Sequence, residues 1–246
     1  MTTIDVAAGT PESRWEAWAE LEHVPGMSWR DPGPVLVVAP HPDDEILGPG
    51  GALRSLVQSG HDVSLLYVTD GEGSHPGSSA LSPAELGARR RCEAARARRQ
   101  LGLGGCRVRY LSIPDGAVSA HEDHVRAAIV DSSHPSGTIL APWRYDGHPD
   151  HDACGRAAAA AADLSGATVI EYPVWMWNWA VPGDRRVPWD RARSTELSAA
   201  AVGAKAEAIS AFATQIEPIG ETEGDRAILP ERILAHHRRR FEIVFV

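Results

Sequence analysis

Val35-Leu36-Val37-Val38-Ala39-Pro40-His41-Pro42-Asp43-Asp44-Glu45 is the stretch on which the fold turns. Five β-compatible apolar residues stopped by proline read as a buried strand that delivers its last side chains to one edge of a sheet. In an open α/β sheet the loops at the carboxyl ends of the strands converge on a crevice that binds ligands. One imidazole and three carboxylates follow Ala39 at such an edge. His41 and Asp44, three apart in a tight turn, can face one ion. Helix capping accounts for one of the aspartates, but not for His41 or for the prolines on either side of it.

Working outward, Gly48-Pro49-Gly50-Gly51 permits close backbone approach before a helix through Leu53, Leu56 and Val57. Neither GxGxxG nor GxxxxGK[ST] is present, which removes a phosphate cradle. Val63–Thr69 is a second strand, near-continuously apolar as parallel strands buried on both faces are. It ends at Asp70-Gly71-Glu72-Gly73, so Asp70 is expected beside the first cluster. Ser82-Pro83-Ala84-Glu85 is a capping box with proline at the first helical position, opening a helix to about Leu101. Most of its arginines belong to a solvated face, with Arg89 or Arg90 the candidates to reach inward. A third strand, Arg107–Leu111, leads to Ile113-Pro114-Asp115-Gly116, where Asp115 suits a turn or a supporting or substrate-binding place at the site. A helix from about His121 to Val130 and a fourth strand, Thr138–Ala141, come next. His121, His124 and His134 read as exposed.

This alternation implies right-handed βαβ units and a Rossmann-like α/β fold, a mainly parallel sheet with helices on both faces. With 246 residues and 43% hydrophobic content, one domain with a substantial core is expected over 1–246. Residues 1–33 would pack on it as an N-terminal extension, with Trp15, Trp18 and Leu21 at helical spacing. The net charge of −9 argues against nucleic acid or a membrane surface as partner. Three cysteines without CxxC spacing point to a reducing compartment. With no apolar signal core and no membrane-length run, the expected location is cytoplasmic.

The second informative stretch is Tyr145-Asp146-Gly147-His148-Pro149-Asp150-His151-Asp152, after the fourth strand and before an alanine-rich helix, 153–163. Two imidazoles three apart lie at the same sheet edge as His41. His41, Asp44 and one of His148 or His151 supply two nitrogens and one oxygen. That donor set is typical of catalytic zinc with open positions and also suits Fe(II).

The pairing of Pro40-His41-Pro42-Asp43-Asp44-Glu45 with Gly147-His148-Pro149-Asp150-His151 resembles the LmbE-like, or PIG-L, family of zinc-dependent N-deacetylases. Arg91-Cys92-Glu93, Ala97, Leu101-Gly102, Ile113–Gly116, Lys205, Ala208-Ile209 and Gln215 extend the resemblance over about residues 34 to 217. It implies that His41, Asp44 and His151 hold zinc, that Asp43 is the general base, and that His148 faces the oxyanion as an imidazolium. Asp150 would either orient His148 or Asp43 or cap the helix that follows. The implied reaction removes an acetyl or other acyl group from the nitrogen of an amino sugar or glycoconjugate. Cleavage of a thiol-conjugate or pseudodisaccharide amide is the alternative within that chemistry. An iron oxygenase and a non-catalytic metal-binding protein of the same fold are alternatives outside it. A homo-oligomer is compatible with the sequence.

Beyond the fifth strand, Thr168–Glu171, Trp175, Trp177 and Trp179 share one face if their segment is extended. They suit either a stacking platform for a ring or the core. Arg185–Asp190 reads as a polar excursion, Thr195–Phe212 as a helix, Glu217–Asp225 as a loop and His236–Arg240 as a solvated helix end. Phe241–Val246 closes the chain as a strand.

Overall fold

The structure, a computed structural model, describes residues 9–246. Among the described residues, seven strands form one sheet: β1 Val35–Ala39, β2 Val63–Tyr67, β3 Arg107–Tyr110, β4 Thr138–Pro142, β5 Thr168–Tyr172, β6 Ala192–Glu196 and β7 Phe241–Phe245. Their order is β3-β2-β1-β4-β5-β7-β6. The first five are parallel, and β7 runs antiparallel to both of its neighbours.

β1 shows why this chain makes this sheet. All five residues are buried, and alternation sends Val35, Val37 and Ala39 to one face and Leu36 and Val38 to the other. A fully buried aliphatic side chain contributes about 1.5–3 kcal/mol, against about 1–2 kcal/mol for ordering one residue's backbone, so β1 is favourable on burial alone. The first face is covered by helices Gly50–Gln58, Pro83–Leu101 and Ala199–Ile209, and the second by Glu122–Ser132 and Pro149–Ser165. The Pro83–Leu101 helix starts with the predicted capping box, Ser82 and Glu85, and ends on Gly102 at φ 91°.

A third core cluster joins the chain's beginning to its end, with Trp15, Trp143, Met176, Trp177, Ile243 and Phe245 packed together. Trp15 donates its indole N–H to the carbonyl of Trp177 at 2.9 Å. Met27 donates to Ser194, and Ser194 donates to Pro25. The entry segment thereby covers the edge strand β6, an edge that would otherwise offer open backbone groups. The first eight residues of the predicted N-terminal extension lie outside the described residues.

Three expectations are corrected here. β6 runs from just after the expected excursion into the expected start of a helix, and the helix is only Ala199–Ile209. Met176–Trp179 is a turn of helix rather than extended chain, which splits the tryptophans: Trp177 enters the core, while Trp175 stays partly exposed. His236 and His237 are buried, not solvated, because His236 meets Glu12 and His237 meets the Leu47 carbonyl. Among the described residues no helix is long and apolar enough to cross a membrane.

Candidate metal centre

β1 and β4 are neighbours paired in parallel, Val35 with Thr138 and Val37 with Leu140. Strand order reverses between them, since β2 and β3 lie on one side and β5 on the other. Their carboxyl ends therefore form the crevice of a doubly wound sheet. The loop after β1 carries His41, Asp43 and Asp44, and the loop after β4 carries His148, Asp150 and His151.

Asp44 Oδ2 lies 3.2 Å from His41 Nδ1 and 3.3 Å from His151 Nε2, and the two nitrogens are 3.3 Å apart. All three side chains are buried. A tetrahedral ion with bonds of about 2.0–2.1 Å to nitrogen and oxygen spaces its ligand atoms about 3.3–3.4 Å apart. Two imidazole nitrogens facing each other and one carboxylate oxygen make a triangle that a divalent cation fits.

The far side of each ring supports this orientation. His151 Nδ1 is 2.8 Å from Asp146 Oδ2, and His41 Nε2 is 3.1 Å from Asp115 Oδ1 and 3.5 Å from Asp150 Oδ2. Imidazoles that bind metals commonly give their other N–H to a carboxylate. Asp115 and Asp150 are themselves held by backbone donors, Gly73 on one and Gly116 and Val118 on the other. His41 Nε2, Asp115 and Asp150 form a second cluster of potential ligand atoms. One N–H shared among these satisfied carboxylates accounts for it, leaving Nδ1 free to bind.

Burial would lower both imidazoles, but Asp115, Asp150 and Asp44 raise His41 well above its ordinary value. Asp44 and Asp146 likewise raise His151 to about 9. Burial would raise the Asp44 carboxyl, yet His151 and His41 hold it well below the usual range.

Asp43 is buried, and its Oδ2 accepts from Arg90 Nη2 at 2.9 Å. Burial nonetheless lifts its carboxyl above the ordinary range, with Arg90 opposing. Arg90 also donates to the Gly71 carbonyl at 2.9 Å. A side chain at Gly71, where φ is +67°, would collide with that guanidinium.

His148 caps the Pro149–Ser165 helix, its Nδ1 accepting from the Asp150 backbone N–H at 3.2 Å. Its ring centroid is 4.9 Å from that of His41 and 5.0 Å from that of His151. Burial, and then those two imidazoles, depress it to about 3. Against the expected imidazolium, a helix N-terminus and adjacent positive charge both favour a neutral ring, with Nδ1 accepting and the proton on Nε2.

Three more expectations change. Asp70 is not beside the cluster: Arg91 holds it at 2.7 and 2.6 Å. Arg89 is exposed, and Arg90 is the inward arginine. The phase of Leu86, Ala94, Ala97 and Leu101, all buried, would have identified it. Asp150 faces His41 rather than orienting His148 or Asp43 through its carboxylate. Trp175 stacks beside His148 at 6.4 Å between ring centroids, whereas Trp177 packs on Trp15 away from the site. Asp146 was not singled out, since nothing local marks a residue five positions before a ligand.

Fold and site together define a doubly wound α/β protein with a two-histidine, one-carboxylate cluster at its strand-order reversal. The profile of the family described as PIG-L: GlcNAc-PI de-N-acetylase matches residues 36–162, and the chain belongs to that family. A diacetylchitobiose deacetylase of Thermococcus kodakarensis is 36% identical over 138 residues, covering 54% of this chain and 50% of that protein. A 1D-myo-inositol 2-acetamido-2-deoxy-alpha-D-glucopyranoside deacetylase of Nakamurella multipartita is 33% identical over 138 residues, 54% of this chain and 44% of that one. The chain thus matches about half the length of these curated relatives. The crystal structure of the A40926 pseudoaglycone deacetylase Dbv21 shares the fold, with a TM-score of 0.63, 22% identity, and coverage of 87% of this chain and 97% of that one.

Proposed function

We propose that the chain is a metal-dependent N-deacetylase, with zinc as the metal, that removes an acetyl or other acyl group from the nitrogen of an amino sugar or amino-sugar conjugate. The observation that carries this reading is the triangle of His41 Nδ1, His151 Nε2 and Asp44 Oδ2, with edges of 3.2–3.3 Å, beside an arginine-held Asp43. The relatives' names supply the substrate class.

His41, Asp44 and His151 would hold the ion. When bound, it supplies a Lewis acid that lowers the pKa of water from about 15.7 to about 7 and polarises an amide carbonyl. Asp43 takes the proton from the attacking water, the task of a general base, and its burial strengthens it as one. Arg90 fixes the carboxylate through Oδ2 and leaves Oδ1 for that proton. His148 donates Nε2–H to the carbonyl oxygen as it gains negative charge. The carbon–nitrogen bond then breaks, and the Asp43 carboxyl gives its proton to the departing nitrogen. Acetate and a free amine leave in equal amounts.

The test is acetate and amine release from N,N′-diacetylchitobiose and other N-acetylated amino sugars by zinc-loaded protein. Equal amounts of both, lost on chelation and restored by zinc, are expected. Asp43→Asn should abolish release while zinc remains bound. Tight zinc binding without acyl release from a broad N-acyl amino-sugar panel overturns the reading.

A further inference from the structure

We propose that Asp146 is a positioning residue that ties the metal ligand His151 to the segment presenting Trp175 at the mouth of the site. The proposal rests on the metal-dependent reading above.

Asp146 is wholly buried, and four N–H groups surround its carboxylate. Oδ2 faces His151 Nδ1 at 2.8 Å and accepts from the Trp175 backbone at 2.9 Å. Oδ1 accepts from the Val174 and Met176 backbones at 3.0 and 2.9 Å. A carboxylate offers about four acceptor positions, so none is left over. Three of the four partners are the first N–H groups of the turn that continues into Met176–Trp179, which otherwise lack acceptors. No residue within that turn caps it. Asp146 therefore does so from thirty positions away, using the carboxylate that also sets the His151 ring.

Two further contacts make the two segments one unit. Trp179 donates its indole N–H to the Asp146 carbonyl at 2.6 Å. Gly147 sits at φ +93°, and any Cβ there would lie 2.7 Å from that same indole nitrogen. Trp175 then lies against His148 at a ring tilt of 22°. A turn of His151 about its χ angles cannot occur without pulling on the oxygen that holds Trp175. Metal occupancy and the aromatic wall beside His148 are mechanically joined through one side chain.

The experiment uses the full chain and Zn2+ alone. Zinc affinity is measured by competition with a chromophoric chelator, and amide exchange at residues 174–176 is followed with and without Zn2+. In the wild type, zinc is expected to slow exchange at these amides. Asp146→Asn is expected to weaken zinc binding by about 10–100-fold and to remove that slowing. Trp175→Phe should leave zinc affinity within twofold. Where accepted substrate is available, Trp175→Phe raises KM more than it lowers kcat, whereas Asp146→Asn moves both. Wild-type exchange at 174–176 that ignores zinc overturns the proposal, as does a folded Asp146→Asn with unchanged zinc affinity. If Asp146→Asn does not fold, the wild-type exchange result alone decides. Neither zinc readout involves substrate, so a failure of the deacetylase reading is distinguishable from a failure here.

Discussion

The two halves of the sheet divide the labour. β1 to β4 and their loops carry every residue of the metal triangle, Asp43 and His148, while β5 to β7 and the late helix contribute no ligand. What the second half contributes is a wall. Lys205, buried in helix Ala199–Ile209, donates to Leu47 and Gly48 carbonyls at 2.9 and 3.0 Å and to Glu242 at 2.6 Å. Glu242, on β7, accepts from the Gly51 and Ala52 backbones at 2.7 and 2.8 Å. The turn that begins at Asp44 is thereby held at its far end by residues from outside the family match. One half places reactive atoms, and the other limits how they can move.

Substitutions should separate these jobs. The largest effect on rate is expected from Asp43→Asn, about 10²–10⁴-fold in kcat, with the urea midpoint nearly unchanged and zinc retained by metal analysis. Glu242→Gln should do the reverse. It strands a buried ammonium, at a cost of about 3–5 kcal/mol of stability, read as a lower urea midpoint, while residual folded protein keeps its zinc. Loss of zinc triangle geometry without loss of stability in Glu242→Gln would erase the distinction between the halves. Arg90→Gln, which removes a charged hydrogen bond worth about 1.5–3 kcal/mol, should cut kcat by about 10–100-fold and shift its acidic limb upward, because Asp43 loses the positive neighbour that opposes its burial.

The smallest effect lies at the seam between the chain's beginning and end. Burial would raise the Glu12 carboxyl, but Arg239 and His236 hold it below its ordinary 4.5. A carboxyl depressed on folding adds stability that is complete above that ordinary value and disappears as pH falls through the folded value. Acid should therefore loosen the Trp15 segment before the sheet, visible as a red shift of tryptophan emission on titration below pH 4.5 with far-UV circular dichroism unchanged. Glu12→Gln should flatten that early transition.

The same division explains what could be read in the sequence. Strands β1, β2 and β4 announce themselves because burial on both faces leaves near-unbroken apolar runs, the edge strand β3 shows only alternation, and the candidate metal loops announce themselves because their chemistry is written in contiguous residues. The second half is set by partners far away in sequence. Ala192-Arg193-Ser194-Thr195-Glu196 has no strand-like alternation and becomes β6 by pairing along all five residues with β7. The tryptophan segment turns helical because Asp146 caps it. His236 and His237 are buried by Glu12 and the Leu47 carbonyl, neither visible from a run of basic residues. In the first half, Arg90 was legible from helix phase, whereas the Arg91 clamp on Asp70 and the contact of Asp150 with His41 depend on partners distant in sequence.

The contact between Gly51 and Glu242 spans 191 positions. The chain is made from its N-terminus, so the histidine and aspartate motifs after β1 and β4 both precede the final strand by some ninety residues of elongation. Throughout that interval Lys205, once made, has no counter-charge to be buried with, and the backbone behind Asp44 has nothing to lean on. The backing of the loop after β1 is therefore complete only once β7 has been made.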